Sequence, residues 1–484
     1  MNKSIRYGAV VALLMIAALL VNFTVVQGLR EDEYAQNQHN SRILMDLKRT
    51  NRGDIVAGET VLAQSHRNEE TGFYQRTYPN MPWSFAPIVG FVSDQFGTSQ
   101  LEATHNGDLT GDSGTASRFL RTGLEDGKKG DTVDLTLDPN LQAFSYDQLA
   151  KPGFDGAVVA VRASTGEVLS MASTPSYDPN GIADPATAED AWAEATGNPA
   201  NPLLNHAAQE QLPPGSIFKI IITAAGLRNG FTPESPLTGE AQTILPGTDN
   251  IPLTNDGGQA CAGGGQVPLR TAFALSCNTA FVQMGLTVGP DALRDAAARF
   301  GVGERYNLGL PNAAGSLGDL PGGAEVAQSA IGQRDVTMTA LQAAMMSATI
   351  ANKGKRMEPH VVRQVRNADG KVVHETEPVE LNEAVTEEEA ATITDLMFGS
   401  ERWTFGYDGN GFASKTGTAE HAEGAAPHVW YVAFDPAKDV AVAVVVKNGG
   451  NMGKAAYGGQ VAGPIGRAVL RAAPAAPAPV EGAQ

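Results

Sequence analysis

With 484 residues the chain has room for two or three domains and a large core, and 42% apolar with 18% charged residues is ordinary for a globular protein. A formal net charge of −18 argues against a nucleic-acid partner, which rewards basic surfaces. The eight histidines show no metal-ligand spacing, and neither metal nor cofactor is expected.

The N-terminus departs from this ordinary picture. Lys3 and Arg6 precede an apolar run from Gly8 to Val26, broken only by Asn22 and Thr24. Its length approaches the ~20 residues of a spanning helix. Basic residues before it and Glu31, Asp32 and Glu33 after it predict residues 1–6 in the cytoplasm, a membrane anchor over 7–26, and the rest of the chain outside. A cleaved signal peptide is the alternative, but the run is long for one and no A-x-A site follows it. Residues 27–137 hold the string Arg52-Gly53-Asp54-Ile55 and the stretch Tyr78-Pro79-Asn80-Met81-Pro82-Trp83. Nothing there has catalytic spacing, and the segment reads as a non-catalytic pedestal.

A second unit is expected over 138–471. Leu141 to Leu149 reads as a helix, and Gly156 to Met171 as a hairpin turning at Ser164-Thr165-Gly166. A loop rich in Asn and Pro leads to Pro213-Pro214-Gly215, which halts the chain before a helix carrying Ser216 and ending at Asn229-Gly230. Ser276-Cys277-Asn278 falls in a short turn between two apolar stretches. Thr339 with Gln342, and Thr386 with Glu389, are capping boxes that start further helices. Strands follow at Ser414–Glu420, Val429–Phe434 and Asp439–Lys447, and the Ala- and Pro-rich tail, 472–484, is expected to be disordered.

Three strings carry the chemistry. Ser216 and Lys219 stand three residues apart, so on a helix they share a face and can exchange a proton. A serine hydroxyl is a poor nucleophile until a base removes its proton. Lysine is that base only when neutral, a state that burial and a second cation both favour, and Lys415 is placed to be that cation. The Ser216 N–H, at a helix start, is aimed at an oxyanion. Ser276 can relay a proton to a leaving amine, and Asn278 can hold a substrate amide. Lys415-Thr416-Gly417-Thr418 reads as one strand, with charge and hydroxyl for a carboxylate, a glycine where a ligand backbone passes, and in Thr418 a second oxyanion N–H. Each string alone is common. In this order, about 60 and 140 residues apart, they read as the acyl-transfer site of a penicillin-recognising enzyme. Cys261 and Cys277, in an exported domain, are read as a bridge bracing the second string, worth about 3 kcal/mol, with two free buried thiols as the alternative.

At this point the chain resembles the class B penicillin-binding proteins, the monofunctional D,D-transpeptidases of cell-wall synthesis, and within them the actinobacterial PbpA type. The resemblance extends to Arg52-Gly53, Gly156-Ala157-Val158-Val159-Ala160, Ser176-Tyr177-Asp178-Pro179-Asn180 and Gly332-Gln333. It implies an α+β transpeptidase domain, an antiparallel sheet flanked by helices, on an elongated pedestal. It also implies Ser216 as the acylated nucleophile, Lys219 as its base, Ser276 and Asn278 in second-motif roles, and Lys415, Thr416 and Gly417 lining the binding strand. The substrates would be peptidoglycan stem peptides and their lipid-linked precursor, with β-lactams as covalent inhibitors of the same serine. A SEDS-type glycosyltransferase would be the membrane partner. Alternatives are a D,D-carboxypeptidase or β-lactamase, disfavoured by the large pedestal, and a β-lactam sensor, disfavoured by the few residues before the anchor. Three departures stand out: no acidic-Arg-Asn-Gly continuation after Arg52-Gly53, Arg334 where glycine is common, and Ala340 where proline is common. Glu377-Pro378-Val379-Glu380-Leu381-Asn382 mimics a deacylating loop with its spacing off by one, and is read as a strand end entering a helix. His421 and His428 flank the loop after the third string, either facing the cleft or exposed.

Overall fold

The computed structural model describes residues 3–28, 48–111, 129–421 and 424–476. Glu31, Asp32, Glu33 and the rest of 29–47, and tail residues 477–484, lie outside the described residues. The first helix, α1 (Lys3–Gly28), contains an apolar window, Arg6–Val25, long enough to cross a membrane.

After it come β1 (Ile55–Ala57), β2 (Thr60–Arg67), β3 (Tyr74–Thr77) and β4 (Thr132–Leu135). β1 pairs antiparallel with β2 and parallel with β4. Arg52 and Arg76 both grip Glu102, at 2.9 and 2.6 Å, and all three side chains are buried. Burial alone would raise the Glu102 pKa, but the two guanidiniums outweigh it and hold the carboxyl below its usual range. Arg52 therefore anchors this region without the continuation usual after Arg52-Gly53.

The second unit starts with α2 (Pro139–Ala150), whose N-cap Asp138 accepts the Leu141 N–H at 2.8 Å. β5 (Gly156–Arg162) and β6 (Val168–Thr174) form the expected hairpin. The Asn- and Pro-rich loop is less irregular than expected, for it contains two short helices, Pro179–Ala183 and Ala188–Gly197. Its Asn180 amide exchanges hydrogen bonds with the Tyr78 backbone at 2.9 and 3.0 Å, so the Ser176–Asn180 string clasps the N-terminal region. Then follow α3 (Lys219–Arg228), α4 (Leu269–Ala274), α5 (Asn278–Arg299) and α6 (Ala340–Ala351). The capping box of Thr339 and Gln342 starts α6, and Ala340 occupies its first turn, where proline is also well suited. Arg334 has φ 63°, a left-handed conformation that explains the preference for glycine there.

The chain then leaves this unit. β7 (Val362–Arg366) pairs with β4, and β8 (Val372–Glu375) pairs with β7, giving a six-stranded sheet in the order β8-β7-β4-β1-β2-β3. The N-terminal sheet is thus completed by residues from within 138–471, and a division at residue 137 is not a clean break. Long-range pairing of this kind leaves no local sequence signal. Glu380–Glu383 is a short strand paired with Lys355–Met357.

Last come α7 (Glu387–Trp403), β9 (Ala413–Ala419), β10 (His428–Asp435), β11 (Val440–Val446) and α8 (Gly458–Ala472). The central sheet is antiparallel, in the order β9-β10-β11-β5-β6, with β9 at an edge. β5 and β11 are buried on both faces, which is why they read as continuous apolar runs. One face carries α6 and the helices bearing the motifs, the other α2 and α8. α8 is not foreseen from local pattern, because Gly458, Gly463, Pro464 and Gly466 obscure it. Two of these glycines are steric necessities: a Cβ on Gly458 would stand 2.4 Å from the Trp430 carbonyl, and one on Gly466 would strike the Tyr431 ring. The expected disorder from residue 472 is corrected over its first residues. Ala473 is buried, the Pro474 carbonyl accepts from Arg162, and the Ala476 N–H reaches the Lys438 carbonyl at 3.2 Å.

Candidate active site

The three strings converge on one cluster. Ser216 lies in a single 3-10 turn, Gly215–Phe218, that runs into α3. The turn is wedged between β9 and the Gly332 loop. Gly215 N–H donates to the Gly332 carbonyl at 2.9 Å, and both glycines have positive φ, 54° and 71°. A Cβ on Gly332 would stand 2.2 Å from the Gly215 carbonyl, so no other residue fits. The Trp430 indole donates to the Pro213 carbonyl at 2.9 Å and fixes the approach to the turn.

Lys219 Nζ lies 2.9 Å from Ser216 Oγ, 2.8 Å from the Ser276 carbonyl, 3.1 Å from Ser276 Oγ and 2.7 Å from Asn278 Oδ1. Two of these partners, the Ser276 carbonyl and Asn278 Oδ1, can only accept. They take the two N–H bonds of a neutral amine and leave its lone pair to the hydroxyls. The Asn278 amide is oriented by its own Nδ2, which donates to the Thr254 carbonyl at 3.1 Å. Lys415 Nζ donates to Ser276 Oγ at 2.9 Å and to the Thr416 carbonyl at 3.0 Å. Ser276 Oγ thus bridges the two lysines.

Both amines are buried, over the rings of Phe281 and Phe273 respectively, and among the described residues neither is paired with a carboxylate. Burial lowers the Lys219 pKa well below its usual value, and the nearby Lys415 charge lowers it further. Burial takes Lys415 to about 7. Asp256 opposes both shifts.

Ser276 is held with φ 59°, an uncommon conformation for a non-glycine residue, and its turn is pinned by a Cys261–Cys277 disulfide with a Cα–Cα distance of 5.9 Å. The bridge expected from the sequence is present. On β9, Lys415 and Gly417 share one face, while Thr416 and Thr418 are half-buried on the other. A Cβ on Gly417 would meet the Pro214 carbonyl at 2.8 Å and Ile217, so a glycine at this position also admits the nucleophile turn. The edge position of β9 leaves alternate backbone groups unpaired along the cleft. His428 is buried at the start of β10, stacked on the exposed His421 at 4.0 Å, with its pKa pushed to about 4 chiefly by burial. Neither histidine contacts the lysine–serine cluster. The sequence reading passed over Thr254, Asn255 and Asp256, which lie far from the second string in sequence; the one clue to them was Cys261.

The family described as the penicillin binding protein transpeptidase domain matches residues 156–471, and that described as the penicillin binding protein A dimerisation domain matches 52–133. The chain belongs to the penicillin-binding protein transpeptidase family. It is 42% identical to the peptidoglycan D,D-transpeptidase PbpA of Mycolicibacterium smegmatis, over 98% of this chain and 99% of that protein. It is 39% identical to PbpA of Mycobacterium tuberculosis over the same shares. The ceftriaxone acyl-enzyme structure of M. tuberculosis penicillin-binding protein A superposes with a TM-score of 0.83 at 40% identity, covering 89% of this chain and 99% of that one. The penicillin G acyl-enzyme of the same protein gives 0.82 at 39% identity, covering 87% and 99%.

Proposed function

We propose that this chain is a peptidoglycan D,D-transpeptidase that cross-links stem peptides through an acyl-enzyme on Ser216. The observation that carries the reading is Lys219, an amine buried without a carboxylate partner among the described residues, with Nζ 2.9 Å from Ser216 Oγ and its N–H bonds directed to two acceptor-only oxygens. Neutral Lys219 takes the Ser216 proton as Oγ attacks the carbonyl of a D-Ala-D-Ala end. The Ser216 N–H and the Thr418 N–H stabilise the oxyanion. The proton passes from Lys219 through Ser276 Oγ to the departing D-Ala amine. Lys415 and Thr416 offer charge and hydroxyl to the terminal carboxylate, and Asn278 orients both Lys219 and the substrate amide. An amine on a neighbouring stem peptide then takes the acyl group, and β-lactams arrest the cycle at the acyl-enzyme.

The same reading assigns residues 27–137 to a pedestal and 138–471 to the transpeptidase domain. It gives the N-terminal helix the role of a membrane anchor, with Lys3 and Arg6 on the cytoplasmic side and the catalytic unit outside. A SEDS-type glycosyltransferase is the membrane partner that family membership implies. The test is labelling with a fluorescent penicillin. Wild type gives a long-lived covalent adduct and Ser216→Ala gives none. Labelling that persists in Ser216→Ala refutes the assignment, and rapid loss of the wild-type adduct makes the protein a hydrolase instead.

A further inference from the structure

The groups around Ser216 account for the donor half of the reaction, whereas the acceptor half also requires a means of drawing in an amine. We infer that Asp256 is the acceptor-recognition residue, its exposed carboxylate beside the second motif attracting the ammonium group of a cationic acceptor. This inference rests on the transpeptidase reading above.

Asp256 opens a short turn, Asp256–Gly258, that is fastened to the second motif from several directions. The Thr254 carbonyl accepts from Asn278 Nδ2 at 3.1 Å, and Asn255 Oδ1 accepts the Thr279 N–H at 3.1 Å. Asn255 Nδ2 donates to the Glu240 and Gln259 carbonyls, both at 3.0 Å. The Cys261–Cys277 bridge closes the far end of the segment onto the same turn. The backbone of Asp256 is therefore fixed beside Asn278, which itself touches Lys219. Its side chain is exposed, and among the described residues no hydrogen bond or ion pair engages its carboxylate. The neighbouring Glu240 differs, since its carboxylate accepts the Gly265 N–H at 3.1 Å. Asp256 also lies close enough to both lysines to oppose, in each, the lowering caused first by burial.

The physical need is plain. A cationic acceptor approaching this cleft meets Lys415, which is still partly protonated near neutral pH, and an uncompensated cation there repels it. An exposed carboxylate beside the second motif reverses that field. Water, the competing acceptor, carries no charge and gains nothing from it. In the transfer step the acceptor ammonium releases one proton to solvent, and the neutral amine adds to the ester carbonyl. It loses a second proton to Lys219. The bond from carbon to Ser216 Oγ then breaks as Lys219 returns that proton to Oγ, leaving an amide and a free serine.

The experiment follows how the acyl-enzyme divides between an amine and water. The full-length protein is acylated by a D-alanyl thioester donor in the presence of D-alaninamide, which is largely cationic at neutral pH, or of hydroxylamine, which is not. Both routes consume the same acyl-enzyme, so any effect on acylation cancels. For Asp256→Asn the ratio of aminolysis to hydrolysis with D-alaninamide falls about 3- to 10-fold at low salt, and the difference shrinks at about 0.5 M salt. Asp256→Glu restores the ratio, and hydroxylamine shows no change. An unchanged ratio with D-alaninamide overturns the inference, as does an equal fall with hydroxylamine. Loss of penicillin labelling in Asp256→Asn would make the residue structural and overturn it too. Loss of labelling in the wild type would instead overturn the transpeptidase reading.

Discussion

Two of the protein's buried charge clusters are treated in opposite ways. In the N-terminal region Glu102 is held between Arg52 and Arg76 at 2.9 and 2.6 Å, and every charge has an opposite partner. In the cleft Lys219 and Lys415 share Ser276 Oγ, at 3.1 and 2.9 Å, and neither contacts a carboxylate among the described residues. Both clusters are closed to water, so desolvation is not what separates them. Pairing is. The lowered pKa of Glu102 favours its charged form, and the resulting stability is present above the usual carboxylate range and lost as the pH falls through the folded value. The lowered pKa values of the lysines disfavour their charged forms. Stability there is intact above the usual lysine range and is lost as the pH falls toward about 7 for Lys415. One cluster stabilises the fold at neutral pH. The other costs stability and in return supplies a base.

That contrast can be broken from either side. Lys219→Ala removes the base and leaves Ser216 without a proton acceptor, and the rate of penicillin acylation falls by about 10³-fold or more. Stopped-flow or gel-based labelling measures this, while thermal stability changes little or rises, because a costly buried amine is gone. Glu102→Gln leaves two guanidiniums facing each other without their anion. Unfolding free energy falls by about 3–5 kcal/mol, measured by urea denaturation, while penicillin still labels Ser216 in the protein that remains folded. If Glu102→Gln slowed acylation as much as Lys219→Ala does, the two clusters would not be the separate devices described here.

The motif residues were legible in the sequence because each string is local: a serine and a lysine one turn apart, a turn between helices, and four residues of one strand. The helix starts at Thr339 and Thr386 were legible for the same reason, as capping boxes operate within four residues. What was hidden depends on distance along the chain. Glu102 reaches residues 50 and 26 positions before it. β7 joins β4 from more than 200 residues away. The closeness of Pro214 to Gly417 was hidden too, because a strand seen alone does not reveal which loop presses on it. α8 was hidden by glycines that local propensity counts against a helix and that packing on Trp430 and Tyr431 requires.

All of this depends on Lys219 being uncharged when substrate arrives. An NMR titration of protein carrying ¹³C-labelled lysine, with Lys219→Ala used to assign the signal, measures that state directly. A resonance absent from Lys219→Ala is expected to titrate far below the ordinary lysine value of about 10.4. A Lys219 signal that remains in the charged form through neutral pH and titrates with the surface lysines would contradict that expectation.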